Sequence, residues 1–169
     1  MTPTVSIIIP TYNEAKSIQR CLDAIYAQTL LDRSIEIIIA DGGSDDGTTT
    51  IIKKNMKNHR NIVLLANPTR NTADGRNLCV RHAKGDYLLD YSGHAFAQPK
   101  TIKTLLDALE KSDKSVAGVG CANIPRKNNS FSARMIGLVF STWLGGMMST
   151  AQNLRLDKET YVDSIAFTL

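Results

Sequence analysis

Cysteine is scarce in this chain. There are three, Cys21, Cys79 and Cys121. An odd, widely spaced set excludes a disulfide framework and a close-spaced zinc pair. Each is expected as a small buried hydrophobe, two in helices and Cys121 at a strand end. A G-x-G-x-x-G fingerprint is missing after the first apolar strand, and no Gly-Lys-Ser/Thr loop occurs. NAD-linked oxidoreductase and P-loop ATPase chemistry therefore lose their main signals. Basic residues are not concentrated: 20 Lys and Arg against 16 Asp and Glu give a formal charge of +4, with small groups at Lys53-Lys54 and Arg126-Lys127. That pattern, without an aromatic-studded basic patch, argues against a nucleic-acid partner. It suits an anionic nucleotide or an acidic membrane surface equally. Long apolar runs are also absent. Residues 5–9 are too short for a signal peptide and end in Pro10. Residues 135–148 are mostly apolar but fall short of the ~20 needed to span a bilayer. They read as a buried helix and turn, with a lipid-touching interfacial segment as the alternative.

What is present is enough for a core. The 169 residues are 43% hydrophobic, which suits one domain. Apolar β-branched strands are expected at 5–9, 35–40, 62–65, 87–90 and 116–121, with a last one at 161–169. Helices are expected at about 15–28 with an apolar stripe of Ile18, Leu22, Ile25 and Cys21, from Asp46-Gly47-Thr48 onward, at 73–83 with Leu78, Val80 and Ala83 packing inward, after Pro99 in its favoured first-turn position, and at 131–144. Strand and helix alternate, so the fold class is α/β: a mostly parallel, Rossmann-like sheet with helices on both faces. No linker or repeat divides residues 1–169. The apolar final segment leads us to expect a single domain that is incomplete, with a second half missing.

Two strand ends concentrate chemistry. Val5-Ser6-Ile7-Ile8-Ile9 runs into Pro10-Thr11-Tyr12-Asn13-Glu14. Ile35-Glu36-Ile37-Ile38-Ile39-Ala40 runs into Asp41-Gly42-Gly43-Ser44-Asp45-Asp46-Gly47-Thr48. In an open α/β sheet both turns lie at the carboxyl edge, where ligands bind. Tyr12 can stack on a base or lie flat over its loop. Asp41 accepts hydrogen bonds only, which suits a base N–H or a ribose hydroxyl; its other role is to cap the turn after it, and the nearby Tyr12 favours the ligand. Arg76, in Ala73-Asp74-Gly75-Arg76-Asn77, can meet a diphosphate bidentately or pair with Asp74 or Asp86. His94, in Asp90-Tyr91-Ser92-Gly93-His94-Ala95, can ligate a metal through an imidazole nitrogen or bind nearby backbone.

These segments, in this order and with Lys84-Gly85-Asp86-Tyr87, resemble the N-terminal part of family 2 glycosyltransferases, the inverting enzymes of GT-A fold. Ser92-Gly93-His94-Ala95 and Val162-Asp163-Ser164-Ile165-Ala166-Phe167 resemble the succinoglycan-biosynthesis branch. The likeness covers nearly the whole chain but only about the first half of a typical member. It implies a nucleotide-diphosphate sugar donor, commonly a UDP-sugar, and a saccharide or lipid-linked acceptor. It assigns Thr11, Tyr12 and Asp41 to the uridine with Glu14 nearby, and Arg76 to the base or diphosphate. The family's Asp-x-Asp motif falls on Ser92 and His94. His94 would ligate Mn²⁺ or Mg²⁺, while Ser92 lacks the usual carboxylate charge and is a poor ligand for a hard cation. The family's general base lies beyond the last residue here, so no catalytic residue is assigned. A cytoplasmic location, at the inner membrane face, is the family expectation.

The leading reading is an inverting glycosyltransferase or its donor-binding half. The alternative is an inactive nucleotide-sugar-binding remnant, or a structural one completed by a second chain or by dimerisation. Donor binding without transfer marks the first alternative. Neither binding nor transfer marks the second.

Overall fold

The computed structural model describes residues 4–28 and 35–121. The described residues fall into two compact units that meet between Ser112 and Asp113 in sequence. In the first unit four strands form one sheet: β1 (Val5–Thr11), β2 (Ile35–Asp41), β3 (Ile62–Ala66) and β4 (Tyr87–Asp90). Their order is β3-β2-β1-β4, and every pairing is parallel. The helices are α1 (Ile18–Tyr26), α2 (Thr48–Asn58), α3 (Thr72–His82) and α4 (Thr101–Lys111).

The strands are apolar on both faces because both are covered. Ile8, Ile38 and Ala40 pack with Cys79 of α3 on one side. Ile7, Ile9, Ile37 and Ile39 alternate with them and are fully buried on the other. Chain direction explains the layering. β1, β2 and β3 step one way through α1 and α2, and α3 then carries the chain back past β1 to β4. Right-handed crossovers place α1 and α2 on one face and α3 on the opposite one. Each buried isoleucine contributes about 1.5–3 kcal/mol relative to an exposed one.

α1 buries the expected stripe, Ile18, Cys21, Leu22 and Ile25. Leu78 of α3 and its C-cap Ala83 pack against the core as expected, but Val80 is exposed, and Gly75 and Cys79 face the sheet. The fit is close at Gly75, where a Cβ would sit 3.0 Å from Asn67 Nδ2 and 3.2 Å from Pro10 Cβ. Pro99 precedes α4, whose N-cap is Lys100, so it lies just outside the helix rather than in its first turn. In the second unit the described residues, 113–121, form no strand, only an isolated bridge residue at Gly120; glycines at 118 and 120 weaken the expected strand 116–121. The expected helix 131–144 and strand 161–169 lie outside the described residues.

Candidate functional site

Parallel strands bring their carboxyl ends to one edge. Thr11 pairs with Asp41, and Asp41 with Ala66. β4 stops lower, with Asp90 opposite Ile8. Tyr91 N–H donates to the Ile8 carbonyl at 2.9 Å, so residues 92–94 run up beside the end of β1.

The turns after β1 and β2 are stitched together. Asn13 N–H donates to Ser44 Oγ at 2.8 Å, and Asp45 N–H to Asn13 Oδ1 at 3.0 Å. Glu14 N–H donates to Thr48 Oγ1 at 2.8 Å, and Ala15 N–H to Asp46 Oδ2 at 2.9 Å. Asn13 adopts a positive φ of 53°, a conformation that asparagine tolerates better than most residues. Asp46 caps α2 by accepting from Thr48 N–H at 3.0 Å and from its hydroxyl. That hydroxyl, with the Ala15 and Thr48 amides, holds the Asp46 carboxyl below its ordinary range.

Asp41 is buried and serves its own turn. Its Oδ2 accepts from Gly43 N–H at 3.0 Å and Ser44 N–H at 2.9 Å, and its Oδ1 from Ser44 Oγ at 2.5 Å. A carboxylate has about four acceptor positions, so these three bonds leave room for one more donor. Tyr12 is 43% exposed and lies against Gly42, where a Cβ would come within 3.2 Å of its ring. Arg70, which sequence reasoning passed over, has its guanidinium 5.3 Å from the Tyr12 ring centroid. Its position at the carboxyl end of the third strand, just after Asn67-Pro68, was the available signal. A groove of ≈ 440 Å³ runs past Asp41, Gly42, Asn67 and Arg70 to Lys53 on α2.

The sheet order reverses between β1 and β4, the topological switch point where open α/β sheets bind ligands. Thr11 Oγ1 is buried there without a hydrogen-bond partner. Gly93 approaches it: a Cβ on Gly93 would lie 3.3 Å from Thr11 Oγ1 and 3.4 Å from Glu14 Cγ. Glu14 and His94 meet directly, Nδ1 to Oε1 at 2.9 Å. Ser92 is half-buried, and its carbonyl accepts from Ala95 N–H at 2.9 Å. Arg76 does not pair with Asp74 or Asp86. Its Nε lies 3.0 and 2.9 Å from the two carboxylate oxygens of Asp90.

The donor set bears on a cation. Among the described residues no three His, Cys, Asp or Glu side chains gather to hold one. His94 is turned outward, its side chain 69% exposed with a carboxylate behind Nδ1. A carboxylate behind a histidine is the usual support for a metal ligand. A lone imidazole fits a divalent ion only where other molecules supply the remaining ligands. The described residues do not form a closed protein cage.

The cysteines are held as neutral thiols. Burial pushes the Cys21 thiol up to about 12, with the charge of Glu14 adding to the shift. Burial likewise pushes Cys79 up to about 11 and raises Cys121.

The sequence profile of glycosyl transferase family 2 matches residues 6–168. A dolichyl N-acetyl-alpha-D-glucosaminyl phosphate 3-beta-D-2,3-diacetamido-2,3-dideoxy-beta-D-glucuronosyltransferase of Methanococcus voltae is 33% identical over 147 residues, covering 84% of this chain and 46% of the relative. Chondroitin synthase of Escherichia coli is 33% identical over 132 residues, 77% of this chain and 19% of the synthase. The chain thus spans less than half the length of these relatives. Among solved structures, a mannosyltransferase from Pyrobaculum calidifontis in complex with GDP-Man and Mn²⁺ superposes with a TM-score of 0.66 at 30% identity, over 75% of this chain and 37% of that one. S. aureus TarS superposes with a TM-score of 0.56 at 25% identity, over 61% and 19%. The parallel GT-A-like sheet, the paired carboxyl-edge turns and a profile match across nearly the whole sequence establish that this chain belongs to glycosyl transferase family 2.

Proposed function

We propose that residues 1–169 form the donor-binding domain of an inverting glycosyltransferase, which moves a sugar from a nucleotide-diphosphate sugar to a hydroxyl of a saccharide or lipid-linked acceptor. The observation that carries this reading is the buried, unpartnered Thr11 hydroxyl at the β1/β4 switch point, flanked by Gly93 and the Glu14–His94 pair. Buried polar groups are nearly always hydrogen-bonded, so this one fits a ligand. The Methanococcus relative and the chondroitin synthase support lipid-linked and saccharide acceptors by their names. The Pyrobaculum complex supports a nucleotide-diphosphate sugar and Mn²⁺. We assign the donor as a UDP-sugar, from the family likeness of the Tyr12 and Asp41 turns.

In this reading Tyr12 stacks on the base. Asp41 takes the base N–H at its remaining acceptor position, and Arg76 turns from Asp90 toward the diphosphate. His94 holds a divalent cation, with Ser92 beside it; the cation supplies positive charge for the departing diphosphate. Ser92-Gly93-His94 supports the succinoglycan-type branch. No helix among the described residues is long and apolar enough to cross a membrane; we place the enzyme at the cytoplasmic membrane face from the family likeness alone.

One observation favours a second reading, binding without transfer. The carboxylate nearest to Ser92 in sequence, Asp90, is held by Arg76 and so does not stand in for the charge that Ser92 lacks. Incubation with UDP-sugars and with GDP-mannose, in the presence of Mn²⁺, tests both. Release of the nucleoside diphosphate supports the enzyme. Bound donor without release selects the second reading, and an absence of both defeats the donor site.

A further inference from the structure

We propose that Glu14 is a positioning residue that fixes the tautomer of His94, so that Nε2 presents a lone pair at the β1/β4 cleft. The metal role of Nε2 rests on the donor-site reading above, whereas the tautomer rests on the contact itself. An ionised carboxylate only accepts. At 2.9 Å from Glu14 Oε1, Nδ1 must therefore carry the proton, and in a neutral ring Nε2 is left bare.

Glu14 is well built for this. Its Oε2 accepts from Ser17 Oγ, its carbonyl accepts from Ser17 N–H at 2.9 Å and Ile18 N–H at 2.8 Å, and its own N–H donates to Thr48 Oγ1 at 2.8 Å. The carboxylate is thus held by Ser17, the N-cap of α1, while the Glu14 backbone is tied to Thr48 at the start of α2. His94 is the opposite case: its side chain is 69% exposed, so packing does little to choose its orientation. The contact spans 80 residues of sequence and brings two turns of the site into register. A carboxylate behind an imidazole orients the ring and raises its basicity as a ligand.

The test is the ¹⁵N spectrum of the histidine rings in the metal-free protein at about pH 9, above the ordinary histidine range. We expect His94 in the Nδ1–H form, and in Glu14→Ala a shift to the Nε2–H form that a histidine in water favours. An Nε2–H ring in the wild type, or a tautomer unchanged by Glu14→Ala, overturns the proposal. If Glu14→Ala does not fold, the wild-type tautomer alone decides. A second readout is Mn²⁺ binding with UDP, followed by electron paramagnetic resonance. Glu14→Ala should weaken Mn²⁺ about 10- to 100-fold, the usual loss when a partner behind a metal-bound histidine is removed. Equal affinity in the two proteins contradicts the positioning role. A wild type that shows the Nδ1–H form yet takes up no Mn²⁺ defeats the cation part of the donor reading and upholds the tautomer.

Discussion

Arg70 lies over Tyr12, its guanidinium carbon 5.3 Å from the ring centroid and Nη1 3.5 Å from the phenol oxygen. The ring that the sequence offered to a base already has a cation on one face. A cation–π contact at an exposed site contributes about 0.5–1 kcal/mol, and stacking a base on an aromatic ring about 1–3 kcal/mol. The base therefore wins that face if the two compete. Arg70→Ala should tighten binding of the uncharged nucleoside uridine roughly two- to fivefold, the equivalent of the lost contact. Titration by NMR measures it. Weaker uridine binding in the variant would mean that Arg70 supports the base instead of yielding to it.

Arg76 and Asp90 form a partly exposed pair, with side chains 43% and 31% exposed. Such pairs contribute about 0–1 kcal/mol to stability. Arg76→Ala should therefore lower the urea unfolding free energy by less than about 1 kcal/mol. If Arg76 turns to the diphosphate, UDP affinity should fall roughly 10- to 100-fold, as for a lost charge-assisted hydrogen bond, while uridine affinity stays unchanged. A parallel loss for both ligands would place the effect outside the diphosphate.

The opposite edge of the sheet gives a stability control. Gly85 N–H donates to Ser6 Oγ at 2.8 Å, and Ser6 Oγ donates to Glu36. A Cβ on Gly85 would lie 2.7 Å from Ser6 N and 2.9 Å from the Val5 carbonyl carbon. Those are backbone atoms of the central strand and cannot swing aside. Gly85→Ala should cost about 1–3 kcal/mol as an overpacking change, read from urea denaturation. Nucleotide affinity per folded molecule should hold, because the change lies at the amino edge.

Thiol reactivity and alkaline stability follow from burial. With Cys21 at about 12 and Cys79 at about 11, native protein at about pH 8 should resist iodoacetamide at both positions, and unfolded protein should react. Mass spectrometry resolves the two. Because these folded values lie above the unfolded ones, the unfolded chain loses its protons first as pH rises. The thiols' contribution to stability is complete below the ordinary thiol range and declines above it. Tyr26, pushed up to about 12 by burial, changes with the same sign. Unfolding midpoints in urea should fall as pH climbs past about 9.

The sheet was legible because its cause is local. Runs such as Ile35–Asp41 are apolar on both faces, and only a covered parallel strand suits them. The helix stripe of α1 was legible for the same reason. Val80 was misjudged because the α3 face is chosen by close approach, which Gly75 permits and the apolar pattern does not reveal. At the site, the turns after β1 and β2 were readable from their residue types. Their couplings were not: Glu14 with His94, Arg76 with Asp90 and Arg70 with Tyr12 are contacts across 80, 14 and 58 residues, set by strand order and register. Asp41 shows the limit within a single turn. One carboxylate both caps the Gly43–Ser44 turn and faces the groove, and sequence cannot apportion those roles.

The central claim is that a nucleoside diphosphate binds at the carboxyl edge between these turns. Titration calorimetry of UDP in the presence of Mn²⁺, on the wild type and on Tyr12→Ala, tests it most directly. The account predicts binding by the wild type and a loss of about 1–3 kcal/mol in Tyr12→Ala, the amount contributed by one stacked base. No binding by the wild type, or equal affinity in the two proteins, would contradict it.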